Sequence, residues 1–200
     1  MRTGIFGGAF NPVHKGHTNA LEAFIRSAGL DRVYIIPTYA PPHKELPSES
    51  ADFDERLEMC RIAFSELESE CELIFSDIEK KLYLETGEKN YTYITVQKLA
   101  SKDDTLCLYV GTDMFLILDK WKRADLLLQS VEVWVMPRCD EKDSEIPSFK
   151  RVLEEKFPKC RINVIGAPPT DASSTEIRSG NFGLLNTGVK EYIVKKGFYK

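Results

Sequence analysis

Residues 2–28 read RTGIFGGAFNPVHKGHTNALEAFIRSA. Residues 2–7 form a short apolar run that reads as a strand, and residues 18–28 set Leu21, Phe24 and Ile25 at helical spacing. Between them lie adjacent glycines at Gly7 and Gly8, then His14 and His17 on either side of Gly16. A strand that passes through a glycine turn into a helix is the opening of a βαβ unit, and the rest of the chain repeats that alternation.

A second apolar run, RVYII at 32–36, is stopped by Pro37. Residues 53–67 carry Leu57, Ile62 and Phe64 among charged residues and read as a helix. Residues 72–75 read as a third strand and 92–100 as a helix. LCLYV at 106–110 is continuous and breaks at Gly111; VEVWVM at 131–136, a helix at 148–157 and a strand at 161–165 complete the series. Such runs are apolar throughout rather than alternating, as expected of parallel strands covered on both faces. The expected class is therefore α/β, with a mostly parallel sheet. Two loops stand out: TYAPPHKELPSESAD at 38–52, long enough to suggest function, and PPTDASS at 168–174, which leads into a short helix.

A chain of 200 residues suits a single domain, and 42% hydrophobic with 29% charged residues is an ordinary globular balance. The formal net charge of -4 argues against a nucleic-acid partner, since duplex binders carry a basic surplus. Any phosphate must then be met by local cations or backbone N–H groups. The five cysteines, Cys60, Cys71, Cys107, Cys139 and Cys160, include no CxxC pair and read as buried free thiols. No basic leader followed by an apolar run opens the sequence, and no apolar stretch approaches the roughly 20 residues of a membrane span. The expectation is a cytoplasmic protein with no membrane partner. The sequence leaves the oligomeric state open, and a homo-oligomer is compatible with it.

The glycine turn fits neither common phosphate signature. The dinucleotide fingerprint G-x-G-x-x-G is not met by the spacing of Gly4, Gly7 and Gly8, and no G-x-x-x-x-G-K-[ST] run occurs. Glycines still let a ligand approach the backbone, and the helix beginning near Gly16 aims its free N–H groups at the gap. On the glycines alone, a phosphate cradle and a plain tight turn stand level. The histidines tip the balance, because three residues apart they share a helix face. Metal ligation is the weaker reading: HxxH supplies two ligands, and no nearby Cys or Glu completes a zinc pattern.

GGAFNPVHKGH at 7–17 resembles the HxGH signature of the nucleotidylyltransferases, and SSTEIR at 173–178 is similar to their second signature, SSTxIR. Further stretches resemble the bacterial-type nicotinate-nucleotide adenylyltransferases: IIPTYAPPHK at 35–44, NYTYIT at 90–95, GTDMF at 111–115, Trp121, and YIVKKGFY at 192–199. Departures are Ala9 where the family often has Thr, Asn90 for Ser, Ile94 for a polar residue, and Arg138-Cys139-Asp140 where an Arg-Pro-Gly-like element is usual.

The resemblance implies a Rossmann-like, doubly wound sheet with helices on both faces. It implies one domain over residues 1–200, with residues from about 170 to 200 packed at its active-site end. The implied reaction transfers AMP from ATP to nicotinate mononucleotide, giving nicotinate adenine dinucleotide and pyrophosphate in NAD biosynthesis. Mg²⁺ is expected on the ATP phosphates rather than on side chains. His14, His17 and Arg178 are the implied catalytic residues. Gly7, Gly8, Ala9, Phe10, Gly111, Asp113, Arg138, Ser173, Ser174 and Thr175 are implied for ATP, and Asn11, Lys44, Tyr91, Thr92 and Trp121 for the mononucleotide.

Each of these has a plainer alternative. SSTEIR is also a capping box, and both roles can coexist. Lys44 could be a solvated surface cation, and Asp113 the N-cap of the segment after it. Trp121 could be a core residue, although Lys120 and Lys122 beside it argue for partial exposure. Rival substrates within the superfamily are nicotinamide mononucleotide and pantetheine phosphate. A catalytically silent nucleotide-binding module would be expected to have lost a histidine or Arg178, and this chain keeps all three.

Overall fold

The computed structural model describes residues 1–41, 47, 50–138, 141–168, 170 and 172–199. The apolar runs become six strands: β1 (Arg2–Gly8), β2 (Arg32–Pro37), β3 (Glu72–Phe75), β4 (Thr105–Gly111), β5 (Glu132–Met136) and β6 (Arg161–Val164). They form one sheet in the order β3-β2-β1-β4-β5-β6, and every neighbouring pair is parallel. The helices are α1 (Lys15–Ala28), α2 (Phe53–Phe64), α3 (Ile78–Thr86), α4 (Thr92–Leu99), α5 (Thr112–Phe115), α6 (Ala124–Ser130), α7 (Ile146–Lys156), α8 (Ser174–Arg178) and α9 (Thr187–Lys196).

Successive strand residues point to opposite faces, and the core divides accordingly. Phe6, Val33, Ile35 and Cys107 join one buried cluster with Leu21 and Phe24 of α1, Met59 and Phe64 of α2, and Val189 and Ile193 of α9. Ile5, Leu106, Leu108 and Val110 join a second cluster with Val96 of α4, Leu127 and Leu128 of α6, and Leu153 of α7. This is the doubly wound arrangement, with helices on both faces of the sheet. Strand order reverses between β1 and β4, so a crevice opens outside their carboxyl ends, the usual ligand position in such sheets. β1 ends there at Gly8 and β4 at Gly111.

The elements depart from the expected boundaries in informative ways. α1 begins at Lys15, which places His14 at its N-cap. α7 begins at Ile146, with a proline in its first turn where the missing N–H costs nothing. α3 has no sequence stripe to announce it, because only Leu82 of its residues is buried. Cys60, Cys71 and Cys107 are buried free thiols and Cys160 is a half-buried one. Burial pushes the Cys71 and Cys107 thiols up to about 11, so they stay protonated and unreactive. Among the described residues, no helix is long and apolar enough to cross a membrane.

Candidate active site

The turn after β1 is held by the core as much as by its glycines. Phe10 adopts a left-handed φ of 44° and is 1% exposed. Its ring stacks on Phe6 at 5.8 Å and meets the edge of His17 at 5.0 Å. A Cβ on Gly8 would lie 3.1 Å from that ring. Gly8 is therefore small to admit Phe10, a reason the sequence reading did not include. The Phe10 side chain is core, so only its backbone can face a nucleotide.

The Asn11-Pro12 peptide is cis. Asn11 is 2% exposed, and both ends of its amide are engaged within the protein. Its Nδ2 donates to Ser50 Oγ at 2.6 Å, and its Oδ1 accepts from the Tyr199 hydroxyl at 2.5 Å. The expected contact of Asn11 with the mononucleotide thus has no side-chain support; Asn11 shapes the turn.

His14 is the N-cap of α1 and His17 its third helical residue, which brings the rings to 3.8 Å between centroids. His17 Nδ1 accepts the backbone N–H of His14 at 3.3 Å. In neutral His17 the proton then sits on Nε2, the nitrogen left for a ligand. His14 Nδ1 is buried with no partner. A Cβ on Gly16 would lie 3.0 Å from the His14 ring and 3.3 Å from Ala172, so a side chain at Gly16 would displace the ring.

Burial disfavours the charged imidazoles, and the nearby Arg138 guanidinium adds to it. His14 is lowered to about 4 and His17 well below its ordinary value. Both are neutral N–H donors near pH 7. An NMR titration of the free protein should therefore find the His14 imidazole changing near pH 4, and a midpoint at the ordinary 6.5 would refute this environment. The unfolded chain binds these protons near 6.5 and the native one does not, so the pair's contribution to stability is lost as pH falls below that value.

The far motif docks on the near one. Ser173 caps α8 in a full capping box: its Oγ accepts from Glu176 N at 3.2 Å, and the Glu176 carboxylate accepts from Ser173 N at 3.2 Å. Ser174 Oγ donates to the Pro12 carbonyl at 2.9 Å. Arg178 donates to the Asn11 carbonyl at 2.6 Å and to Thr175 Oγ1 at 3.1 Å. Residues far apart in sequence thus place two hydroxyls and a guanidinium beside the histidine turn.

Across the crevice, the Arg138 guanidinium lies over Gly111, 3.0 Å from where a Cβ would be. Asp113 bridges Arg138 at 3.4 Å and Lys142 at 2.9 Å. Gly111, not Asp113, is the N-cap of α5, which removes the plainer alternative for that aspartate. Tyr91 is the N-cap of α4 and Thr92 its first residue, so the free N–H groups of that helix end lie at the expected recognition element. Lys122 Nζ sits 5.7 Å from the Tyr91 ring centroid. Trp121 is half-buried, partly packed on the second core cluster, with its Nε1 unpartnered. Lys44 and the Cys139-Asp140 departure lie outside the described residues. Among the described residues, no group of three or more His, Cys, Asp or Glu is arranged to hold a metal ion.

A family profile described as cytidylyltransferase-like matches residues 5–180. The chain belongs to that family. A protein of Caldicellulosiruptor saccharolyticus named as a probable nicotinate-nucleotide adenylyltransferase is 31% identical, covering 100% of both chains. One of Clostridium tetani with the same name is 32% identical over 87% of this chain and 84% of its own. The solved structure of Plasmodium falciparum nicotinic acid mononucleotide adenylyltransferase complexed with NaAD superposes with a TM-score of 0.75, covering 99% and 97% of the two chains. At 18% identity that likeness speaks for the Rossmann-like fold alone. The expected family holds, and the HxGH and SSTEIR stretches are consistent with it.

Sequence reasoning missed two charged residues drawn inward, one buried and one half-buried. Arg56 of α2 is 1% exposed, and Glu79 of α3 is set among other side chains. Neither carries a local signal, since each sits among other charged residues of a helix that reads as a solvated face.

Proposed function

We propose that the chain transfers the adenylyl group of ATP to nicotinate mononucleotide, forming nicotinate adenine dinucleotide and releasing pyrophosphate. The observation that carries this reading is the docking of Ser174 and Arg178 onto the carbonyls of Pro12 and Asn11, beside His14 and His17. The relatives named as probable nicotinate-nucleotide adenylyltransferases support the choice of acceptor.

In this reading, a 5′-phosphate oxygen of the mononucleotide attacks the α-phosphorus of ATP. A new P–O bond forms, and the bond to the bridging oxygen of the β-phosphate breaks. Both reactants are anionic, so positioning and charge neutralisation supply most of the acceleration. Nε2 of His17, with its proton fixed there, donates to the phosphate oxygens. Arg178 offers its remaining N–H groups to the leaving pyrophosphate, a planar fork suited to phosphate. Gly7, Gly8 and Ala9 line the turn, and Ser173 and Thr175 present hydroxyls at the start of α8. Arg138, Gly111 and Asp113 form the opposite wall on the adenosine side. Mg²⁺ enters with ATP as part of the substrate, held by phosphate oxygens and water.

The pyridine ring would stack on Trp121, with its carboxylate toward the free N–H groups of Tyr91 and Thr92. An amide in that place turns an NH₂ toward N–H donors, which selects against it. The proposal takes residues 1–200 as one catalytic domain acting in the cytoplasm. It is tested by pyrophosphate release from MgATP with nicotinate mononucleotide, nicotinamide mononucleotide and phosphopantetheine as acceptors. Release is expected with the first, and its absence there would overturn the reading. Trp121→Ala should raise KM for the mononucleotide by about tenfold, the worth of one aromatic stack. KM for ATP should stay unchanged, and equal rises in both would refute stacking.

A further inference from the structure

One peptide group is gripped at both ends. The Thr38 carbonyl accepts from Arg56 Nη2 at 2.8 Å, and the N–H of Tyr39, in the same peptide unit, donates to Glu79 Oε2 at 3.1 Å. Arg56 Nη1 donates in addition to the Ala9 carbonyl at 2.6 Å, and Thr38 N donates to the Gly8 carbonyl at 2.8 Å. A single buried guanidinium thereby joins the chain leaving β1 to the chain leaving β2. The Asn90 side chain lies against the Glu79 carboxyl group, and its Nδ2 donates to Thr95 Oγ1 at 2.6 Å. Asn90 immediately precedes Tyr91 and Thr92 at the start of α4.

Burying a charge such as that of Arg56 is costly, and hydrophobic replacements are often neutral or better for stability. Among the described residues, Arg56 forms no ion pair within salt-bridge distance, and its Nε is buried without a partner. Core stability does not explain the arrangement. Position does: the two residues fix, relative to one another, the segment after β2 and the helix start that flank the proposed mononucleotide side. Among the described residues assigned to ATP, Arg56 reaches only the Ala9 carbonyl, and Glu79 reaches none.

We propose that Glu79 is a positioning residue for the mononucleotide, its carboxylate tying the Tyr39 backbone and the Asn90–α4 junction into one unit braced by Arg56. The proposal rests on the substrate reading above. Groups facing Glu79 are the Arg56 guanidinium from α2, the Tyr39 amide from the segment after β2, and the Asn90 amide before α4. On its own helix, Lys80 turns away to Asp54 at 2.6 Å, and the Tyr83 ring packs on Tyr39 at 5.1 Å. Burial pushes Glu79 up to about 7, so its charge, and with it the strength of the grip, changes near neutral pH.

Glu79→Gln keeps the shape and an acceptor for Tyr39 but loses the charge. At pH 8 it should raise KM for nicotinate mononucleotide about tenfold, the worth of one charge-assisted hydrogen bond, with KM for ATP and kcat unchanged. Glu79→Asp keeps the charge and withdraws it by one methylene, and should fall between the two. In the wild-type protein, exchange protection of the Tyr39 amide, corrected for its intrinsic rate, should rise as pH increases through about 7, and in Glu79→Gln it should be flat. An unmoved mononucleotide KM, equal rises in both KM values, or flat Tyr39 protection in the wild type would each overturn the proposal. The last needs no variant to fold. Wild-type protein inactive on nicotinate mononucleotide would overturn the substrate reading as well, whereas an active wild type with an unaffected Glu79→Gln would overturn this inference alone.

Discussion

His17→Ala is expected to lower kcat by about two to three orders of magnitude, the scale set by removing one preorganised donor at a site of developing charge. The ring is pinned on three sides. Its Nδ1 accepts the His14 N–H at 3.3 Å, its ring centroid lies 3.8 Å from that of His14, and the Phe10 ring crosses it at 70° with the centroids 5.0 Å apart. A group so held requires no reorganisation as charge builds on the phosphate oxygens, and alanine supplies nothing in its place. The loss belongs in kcat rather than in KM for ATP, because the interaction strengthens only as the bridging bond breaks. The fold should survive. The side chain is half-buried at a helix start, and the backbone bonds from His17 N and Thr18 N to the His14 carbonyl remain. Steady-state kinetics with a thermal melt beside them decide the matter: a normal kcat in a folded variant would remove His17 from the chemistry.

The sheet was legible because parallel strands leave long apolar runs. All six strands lie within one or two residues of the runs read from sequence, and β3 matches at both ends. The pairing of the two motifs was legible as well, since HxGH and SSTEIR each fall in a short window and the fold brings the two together. What stayed hidden depends on partners distant in sequence. Phe10 reads as part of a glycine-rich turn, yet its left-handed φ and burial appear only when Phe6 and Phe64 close around it. Arg56 sits among Asp54, Glu55 and Glu58, which resembles a solvated face. Its two acceptors are carbonyls at the ends of β1 and β2, and backbone carbonyls have no sequence signature. α3 escaped notice for the opposite reason, because it packs on the sheet with too little apolar surface to show a period.

Arg178→Ala is expected to cost about three orders of magnitude in kcat/KM for ATP, because it removes two things at once. The first is a full positive charge with three N–H groups beyond those already engaged with Asn11 and Thr175. The second is the brace on the Asn11 carbonyl, which keeps α8 against the turn that presents the histidines. Arg178→Lys separates the two. An ammonium restores the charge but cannot reach the Asn11 carbonyl, Thr175 Oγ1 and a phosphate in one plane, so it should recover only part of the loss. Full recovery with lysine would show that charge alone matters and that the brace is incidental. The effect should also be lopsided between substrates. Arg178 is carried by α8, whereas Tyr91 and Thr92 stand at the start of α4, so KM for the mononucleotide should move little. A variant in which both substrates weaken equally would instead mean that α8 had detached and the whole crevice had loosened. A melt and the Ser174–Pro12 contact, followed by amide exchange in the turn, would then distinguish that collapse from the loss of a phosphate ligand.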